Sequence, residues 1–435
     1  MADIVLKNGK VITVDKNDRI TQAVAIKGKH ILKTGTDEDM EEFIDDKTVV
    51  IDLKGRSVVP GFIDAHMHFM MYSLFYKATI DIAYDKVQSI AGIKEMIREA
   101  ASHKNPGEWI CLWGYDQNKL LEKRHPTMKD LDEAAPDNPV QCVRCCGHMG
   151  VYNSKAFEIA GITSPEQYAP GEVDTDADGN MTGLLKETPN DTIWSYIKHT
   201  DEQLREGYIE FGKLMLKSGI TSIHDAGTYG GQYVKVLQDV IDAGEFPVRI
   251  YEIFYNVFGK EASRKWIYDL ISTGLHTGLG NEHFKVGSAK ILLDGSTSGP
   301  SCATREPYSH DPELKGILNW KQEEVNQVFS DAAAAGFQVT AHAVGDMAVE
   351  QAVNAIEYTL AKVPKKDHRH RIEHCGLTDE TLIKRIKDLG IVPISNPGFI
   401  TVNGSDYNRY YGDRTDYMFA AESYKKNGII TAFGS

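Results

Sequence analysis

The sequence predicts an α/β fold: a (β/α)8 barrel of TIM type, with a small N-terminal β-sandwich domain and a large insertion after the first barrel strand. Three observations predict it. Eight short apolar runs recur after Gly61, each ending in a polar or glycine-rich turn and most followed by a helical pattern. Only short β segments precede them. Between the first and second runs stand residues 69–218, far more than one crossover needs. Alternating strand and helix make a parallel sheet, and eight such units close it into a barrel.

Residues 1–59 supply the small β domain. Its segments are 3–6, 10–14, 23–26, 30–34 and 49–53, separated by turn pairs such as Asn8-Gly9 and Lys27-Gly28. They read as a small antiparallel sheet that ends at Val58-Val59-Pro60-Gly61 and is incomplete without a C-terminal segment. The barrel domain is 60–435, with strands expected at 62–65, 219–223, 248–254, 289–293, 337–341, 371–373, 391–395 and 429–433. The inserted subdomain, about residues 70–200, holds further β segments at 109–113 and 140–146 and a polar turn at 174–180. Insertions at the C-terminal ends of barrel strands usually shape the substrate pocket.

The chain of 435 residues is 42% hydrophobic and 25% charged, close to soluble globular proteins. A formal net charge of −14 argues against nucleic acid or an anionic membrane as partner, since both need a basic face. No run of eighteen apolar residues offers a membrane span. The N-terminus enters Ile4-Val5-Leu6 directly, which reads as a strand and not as a signal peptide. Six cysteines are too sparse for a disulfide scaffold, so a reducing cytoplasm is the expected location. The cluster Cys142-Val143-Arg144-Cys145-Cys146 lacks the second pair that a structural zinc site needs, and reads as free thiols in a strand.

Four histidines stand out among fifteen. His66 and His68 follow the first barrel strand, and residues two apart on a strand project to one side. His342 ends the run at 338–341, and His374 ends Arg371-Ile372-Glu373 one βα unit later. All four fall where barrel enzymes keep their active sites. A single such histidine is more often a hydrogen-bonded core residue; four at strand ends favour a shared metal ion. Alternation puts Lys290, Leu292 and Asp294 on one side of their strand and Ala289, Ile291 and Leu293 on the other. A lysine inside a barrel is depressed in pKa and nucleophilic enough to capture carbon dioxide as a carbamate. The competing reading is an ion pair with Asp294 or Asp225.

These motifs resemble the amidohydrolase superfamily. They are His-x-His after Gly-Phe-Ile-Asp-Ala, Lys-x-x-x-Asp-Gly-Ser at 290–296, Ala-His-Ala-Val-Gly-Asp at 341–346 and Arg-Ile-Glu-His at 371–374. The likeness is greatest to amidohydrolase family 3, the branch with the N-substituted formamide deformylases and related uncharacterised metal-dependent hydrolases. The resemblance implies that His66 and His68 bind one metal, His342 and His374 a second, and Lys290 bridges them as a carbamate. It also implies an aspartate after the eighth strand as ligand and general base. The chain stops at Phe433-Gly434-Ser435, one residue short of it, so the C-terminal part is expected to be missing and the catalytic base is unassigned.

The chemistry so implied is hydrolysis of a small-molecule, non-peptide amide by a metal-activated water, with one or two divalent ions. Imidazole ligands favour zinc, while iron, manganese, cobalt and nickel also fit. Candidate substrate contacts are His148, Trp113 and Asp116 in the insertion, with Asp294 and Arg305 after the fourth strand. His224 and Asp225 end the second strand and so are expected to face the mouth; His224 is a further candidate substrate contact, and a role supporting the ligands from behind is the preferred reading for both. A homodimer is the candidate assembly. The rival readings are a deaminase of the same superfamily and, if the chain truly ends at Ser435, a non-catalytic metal- or ligand-binding barrel.

Overall fold

The eight apolar runs form one sheet: Phe62–Met67, Ile220–Asp225, Arg249–Phe254, Phe284–Leu292, Val339–Ala343, Arg371–His374, Val392–Ser395 and Ala432–Phe433, neighbours in chain order. The pairings described from the second strand to the eighth are all parallel, as helical crossovers require. The sheet is a nearly closed barrel in a computed structural model that describes residues 1–257 and 259–435. At its seam Gly434 lies against the first strand, where a Cβ would come within 2.6 Å of the His66 backbone nitrogen and oxygen. The Ser435 amide donates there to Asp64 Oδ1 at 3.2 Å.

Strand alternation builds the core. Ile223, Ile250, Ile291, Val339, Ala341 and Ile372 face outward and pack with Val349, Val353 and Ile356 of helix Asp346–Lys362 and with the other barrel helices. The inward positions are left to His66, Lys290, Thr340 and His342, all at most 5% exposed.

Between the first and second strands a separate six-stranded sheet is built from Ile80–Asp81, Ile110–Tyr115, Val140–Arg144, Met149–Tyr152, Met181–Lys186 and Val173–Thr175. Its own apolar core includes Ile93, Ile110, Leu112, Val140 and Val151. Helix Phe69–Ala78 leads into this insertion and helix Asp201–Lys217 leads out. The two meet through Phe69, whose ring lies 5.8 Å from Tyr208 and 5.6 Å from Phe211. The returning helix starts at a capping box of Thr200 and Gln203.

Contacts divide the chain into two compact units, Met1–Phe62 and Ile63–Ser435. The first holds a four-stranded and a three-stranded sheet, and neither is purely antiparallel. Ile4–Lys7 pairs antiparallel with Ala23–Lys27 but parallel with Val49–Asp52, and Lys10–Ile12 runs parallel with Ser57–Val58. The expectation of one antiparallel sheet is corrected. The 3-10 turn Glu38–Phe43 and the loop after it carry the chain across, so Val49–Asp52 returns in the same direction. Among the described residues no helix is long and apolar enough to cross a membrane, and all six cysteines are free.

Candidate metal centre

The strand ends gather the histidines as the spacing predicts. Ring centroids are 5.4 Å apart for His66 and His68, 4.5 Å for His66 and His374, and 4.6 Å for His342 and His374. His374 reaches this group by leaving the strand conformation. Alternation would set Glu373 and His374 on opposite faces, but His374 has φ 66° and Cys375 φ 45°. Left-handed backbone at two non-glycine residues is strained, and such strain concentrates at functional sites.

Each ring is held by a specific partner. Glu373 Oε2 binds His66 Nδ1 at 2.5 Å, and Asn396 Oδ1 binds His374 Nδ1 at 2.8 Å. His342 Nε2 meets the Gly295 carbonyl at 3.0 Å. Glu373 is itself fixed by Arg371 (Nε to Oε1, 2.6 Å) and by the Thr340 hydroxyl (2.6 Å). Burial raises the Glu373 carboxyl, yet the Arg371 charge and His66 hold it well below the usual range. Behind His68, the Asp225 carboxylate accepts the Phe69 and Met70 amides, both at 2.9 Å, and so caps the helix that follows the ligand candidate.

Burial lowers the pKa of all four histidines, so they stay neutral and keep a lone pair. His66 Nε2 and His68 Nδ1 are buried with no hydrogen-bond partner. A buried ring nitrogen without a partner is costly unless a ligand completes it. Lys290 lies 1% exposed, its Nζ donating to the Ala226 carbonyl at 2.8 Å rather than to Asp294 or Asp225. Burial lowers its pKa to about 8. These donors fit a divalent cation in kind. Among the described residues, however, no three His, Cys, Asp or Glu side chains stand grouped as a ready-made ligand set. Three of the four rings have one nitrogen turned onto a protein acceptor, which leaves the other for a cation.

Of the other candidates, His148 joins the centre: its ring lies 5.2 Å from that of His342. Its Nδ1 is 2.9 Å from Glu187 Oε2, whose other oxygen accepts the Ser301 hydroxyl at 2.9 Å. Burial lowers the His148 pKa, but the Glu187 charge and hydrogen bond outweigh it and raise it to about 9. Glu187 has φ 52° and ψ −118°, again unusual for a residue with a side chain. Asp294 lies 3.6 Å from His342 Nε2, but its oxygens accept the backbone amides of Ala303, Val344 and Gly345 at 2.8–3.0 Å. Burial raises its pKa to about 8.

Other candidates are engaged elsewhere. Trp113 stacks on Phe75 at 4.2 Å, and Asp116 pairs with the buried Arg144 at 3.2 Å. Arg305 is occupied by Glu350 (2.9 Å) on helix Asp346–Lys362 and by Asp379 (2.6 Å), the N-cap of helix Glu380–Leu389. Among the described contacts none joins these three to the histidines. His224 does not face the mouth as expected. Its Nδ1 meets Arg371 at 2.9 Å, and it lines a cavity of about 1000 Å³ with Gln338, Arg371 and Val392, where strands begin. Register explains the placement: His224 pairs with Tyr251, whose hydroxyl reaches Gln338 just before the fifth strand, one layer below the metal candidates.

Sequence reading missed Glu187, Glu373 and Asn396. Glu373 had a signal, since it directly precedes His374 and follows Arg371 at spacing two. Glu187 had none, because its partners His148 and Ser301 lie 39 and 114 residues away.

The profile described as "Amidohydrolase family" matches residues 49–435. The putative amidohydrolase YtcJ of Bacillus subtilis is 28% identical over 97% of this chain and 78% of its own length. The N-substituted formamide deformylase of Arthrobacter pascens is 25% identical over 100% of this chain and 80% of its own. A solved structure of an uncharacterized metal-dependent hydrolase from Pyrococcus horikoshii superposes with TM-score 0.77 at 22% identity, over 99% of this chain and 82% of that one. At that identity the superposition shows the shared fold.

Proposed function

The chain belongs to the amidohydrolase family, and from that premise we propose that it is a metal-dependent hydrolase of carbon–nitrogen bonds in small, non-peptide amides. One observation carries the reading: four neutral histidines meet at the strand ends, and two of them carry buried ring nitrogens with no partner. The relative that is an N-substituted formamide deformylase supports the amide bond as the target.

In this reading His66, His68, His342 and His374 hold the cation, with Lys290 beside them. When bound, a divalent cation supplies Lewis acidity and lowers the pKa of water from about 15.7 toward roughly 7. Zinc suits imidazole donors. The protein's own part is to present the ligands and meet the charge that develops on substrate. Glu373 and Asn396 fix the tautomers of His66 and His374 from behind, so each ring presents Nε2. His148, kept protonated at neutral pH by Glu187, offers its other N–H toward the carbonyl oxygen as negative charge builds there. Its partner Glu187 turns the ring by accepting at Nδ1.

Metal per chain, measured by elemental analysis on protein purified without chelator, tests the reading. Bound metal that falls in His66→Ala, together with turnover in a screen of N-acyl and N-formyl amines, is the expected result. A well-folded chain with no metal overturns it.

A further inference from the structure

Beside the metal candidates lies a second cavity, of about 220 Å³, walled by the insertion on one side and the barrel on the other. Its lining includes Glu172, Glu187, Asp191, Tyr255, Ser263 and Trp320. Two of these tie it to the centre. Glu187 has one oxygen on His148 Nδ1, and the Tyr255 ring lies 5.3 Å from Lys290 Nζ. The cavity therefore shares wall residues with the surroundings of the proposed active site.

Its chemistry is anionic. Glu172 and Glu187 are at most 4% exposed and have their charges met by amides, by the Ser301 hydroxyl and by His148. Asp191 is different. Among the described hydrogen bonds its carboxylate receives one, from the Asn190 amide at 3.3 Å. Burial, and then the Glu187 charge, push its pKa well above the carboxylate range. The Lys260 ammonium on the lining is already committed to Glu324 at 2.7 Å and to the Trp320 face at 4.9 Å.

A second, independent feature points to a missing ligand. The Ser263 hydroxyl, on a residue 2% exposed in helix Lys260–Ser272, is buried on this lining with no partner. Carboxyl groups and an unpaired hydroxyl together recognise an organic cation, through ion pairing and hydrogen bonding. An apolar or anionic group would leave the Asp191 carboxyl with the Asn190 amide alone and the Ser263 hydroxyl with no partner.

We propose that this chamber is the specificity pocket for a cationic arm, a protonated amine or guanidinium carried by the amide substrate, with Asp191 as its counter-ion. The proposal rests on the hydrolase reading for the word substrate, but the cation site itself does not. Substrates are then N-acyl or N-formyl derivatives of diamines or of similarly charged amines, with the reacting amide at the histidines and the charged end against Asp191.

Binding tests the pocket without turnover. Calorimetric titration of the whole chain compares butylammonium with butanol. Butylammonium binds about tenfold or more tightly, and Asp191→Asn erases the difference. Glu172→Gln, on the same wall, reduces it. Both variants are checked for an unchanged melting temperature. Equal binding of the two probes, binding of neither, or a difference that survives Asp191→Asn overturns the proposal.

Hydrolysis separates it from the parent reading. N-formylputrescine exceeds N-formylpentylamine in kcat/KM by about tenfold or more, and the ratio collapses in Asp191→Asn. Equal cleavage of both amides overturns the pocket and keeps the hydrolase. Cleavage of neither, with butylammonium still held through Asp191, counts against the hydrolase reading and keeps the cation site.

Discussion

Glu373 holds Nδ1 of His66 at 2.5 Å and, through its other oxygen, the Nε of Arg371 at 2.6 Å, so one buried carboxylate joins a ligand candidate to the layer beneath it. His66 is thereby left with a single free nitrogen, Nε2, which has no protein partner. The carboxylate sets the ring's tautomer and raises its basicity as a donor. Arg371 in turn donates to the Ala65 carbonyl at 2.5 Å and meets His224 Nδ1 at 2.9 Å, which ties the first, second and sixth barrel strands together.

Replacing Glu373 should therefore do two things. Glu373→Gln keeps the shape but lowers the donor strength of His66, and metal affinity measured by competition titration falls about 10–100-fold. Glu373→Ala also strands the Arg371 charge, and denaturant unfolding should show a loss of about 3–5 kcal/mol. Unchanged metal affinity in both variants would show that the contact does not orient a ligand.

Lys290 gives a distinct signature. With its pKa lowered to about 8 by burial, part of the amine is neutral near pH 8 and able to take up carbon dioxide. Intact-mass analysis after incubation with bicarbonate and zinc should show one added carbon dioxide that is absent from Lys290→Ala. Metal content should fall in the same variant, from about two ions toward one if the carbamate bridges a two-metal site. A variant that retains its full metal content argues against the bridge.

Asp294 is expected to act on stability more than on metal. Its carboxylate satisfies three buried backbone amides, at Ala303, Val344 and Gly345. Asp294→Ala leaves all three unpaired, at about 1–3 kcal/mol each. The urea midpoint should drop sharply with little change in the m-value. A loss below about 1 kcal/mol would mean that water replaces the carboxylate.

Acid sensitivity follows from two histidines outside the centre. Burial lowers His125 from 6.5 to about 3, beside the Tyr115 hydroxyl at 2.8 Å, and lowers His370 to about 3, where its Nδ1 accepts the Val339 amide at 3.1 Å. Below pH 6.5 the unfolded chain binds protons at these sites that the folded chain refuses, so stability falls with falling pH until about pH 3. Above pH 6.5 neither site contributes to the slope. Denaturation midpoints measured from pH 7 to pH 4 should decline, and His125→Asn should flatten the decline. An unchanged slope would show that His125 is not the group that titrates.

Much of the barrel was legible in the sequence because strand and helix periodicity are local. All eight apolar runs became barrel strands, and period two alone put His66, His68 and Lys290 on the inner side. The same rule misleads at His374, where a left-handed backbone brings a residue next to Glu373 round to the same side. It is also silent on depth. His224 and His342 both stand near strand ends, yet staggered register sends His224 to Arg371 and the opposite face.

The sequence by itself determined the strands, the identity of the histidine donors and the inward lysine, since each depends on residues a few positions apart. Only the tertiary structure decided which carboxylate orients which ring, that Arg305 is occupied by Glu350 and Asp379, and that Asp191 faces a chamber with Ser263 and Trp320. Those relationships join residues tens to hundreds of positions apart. They are set by strand register and by how the inserted sheet packs over the barrel, and neither leaves a periodic trace in the chain.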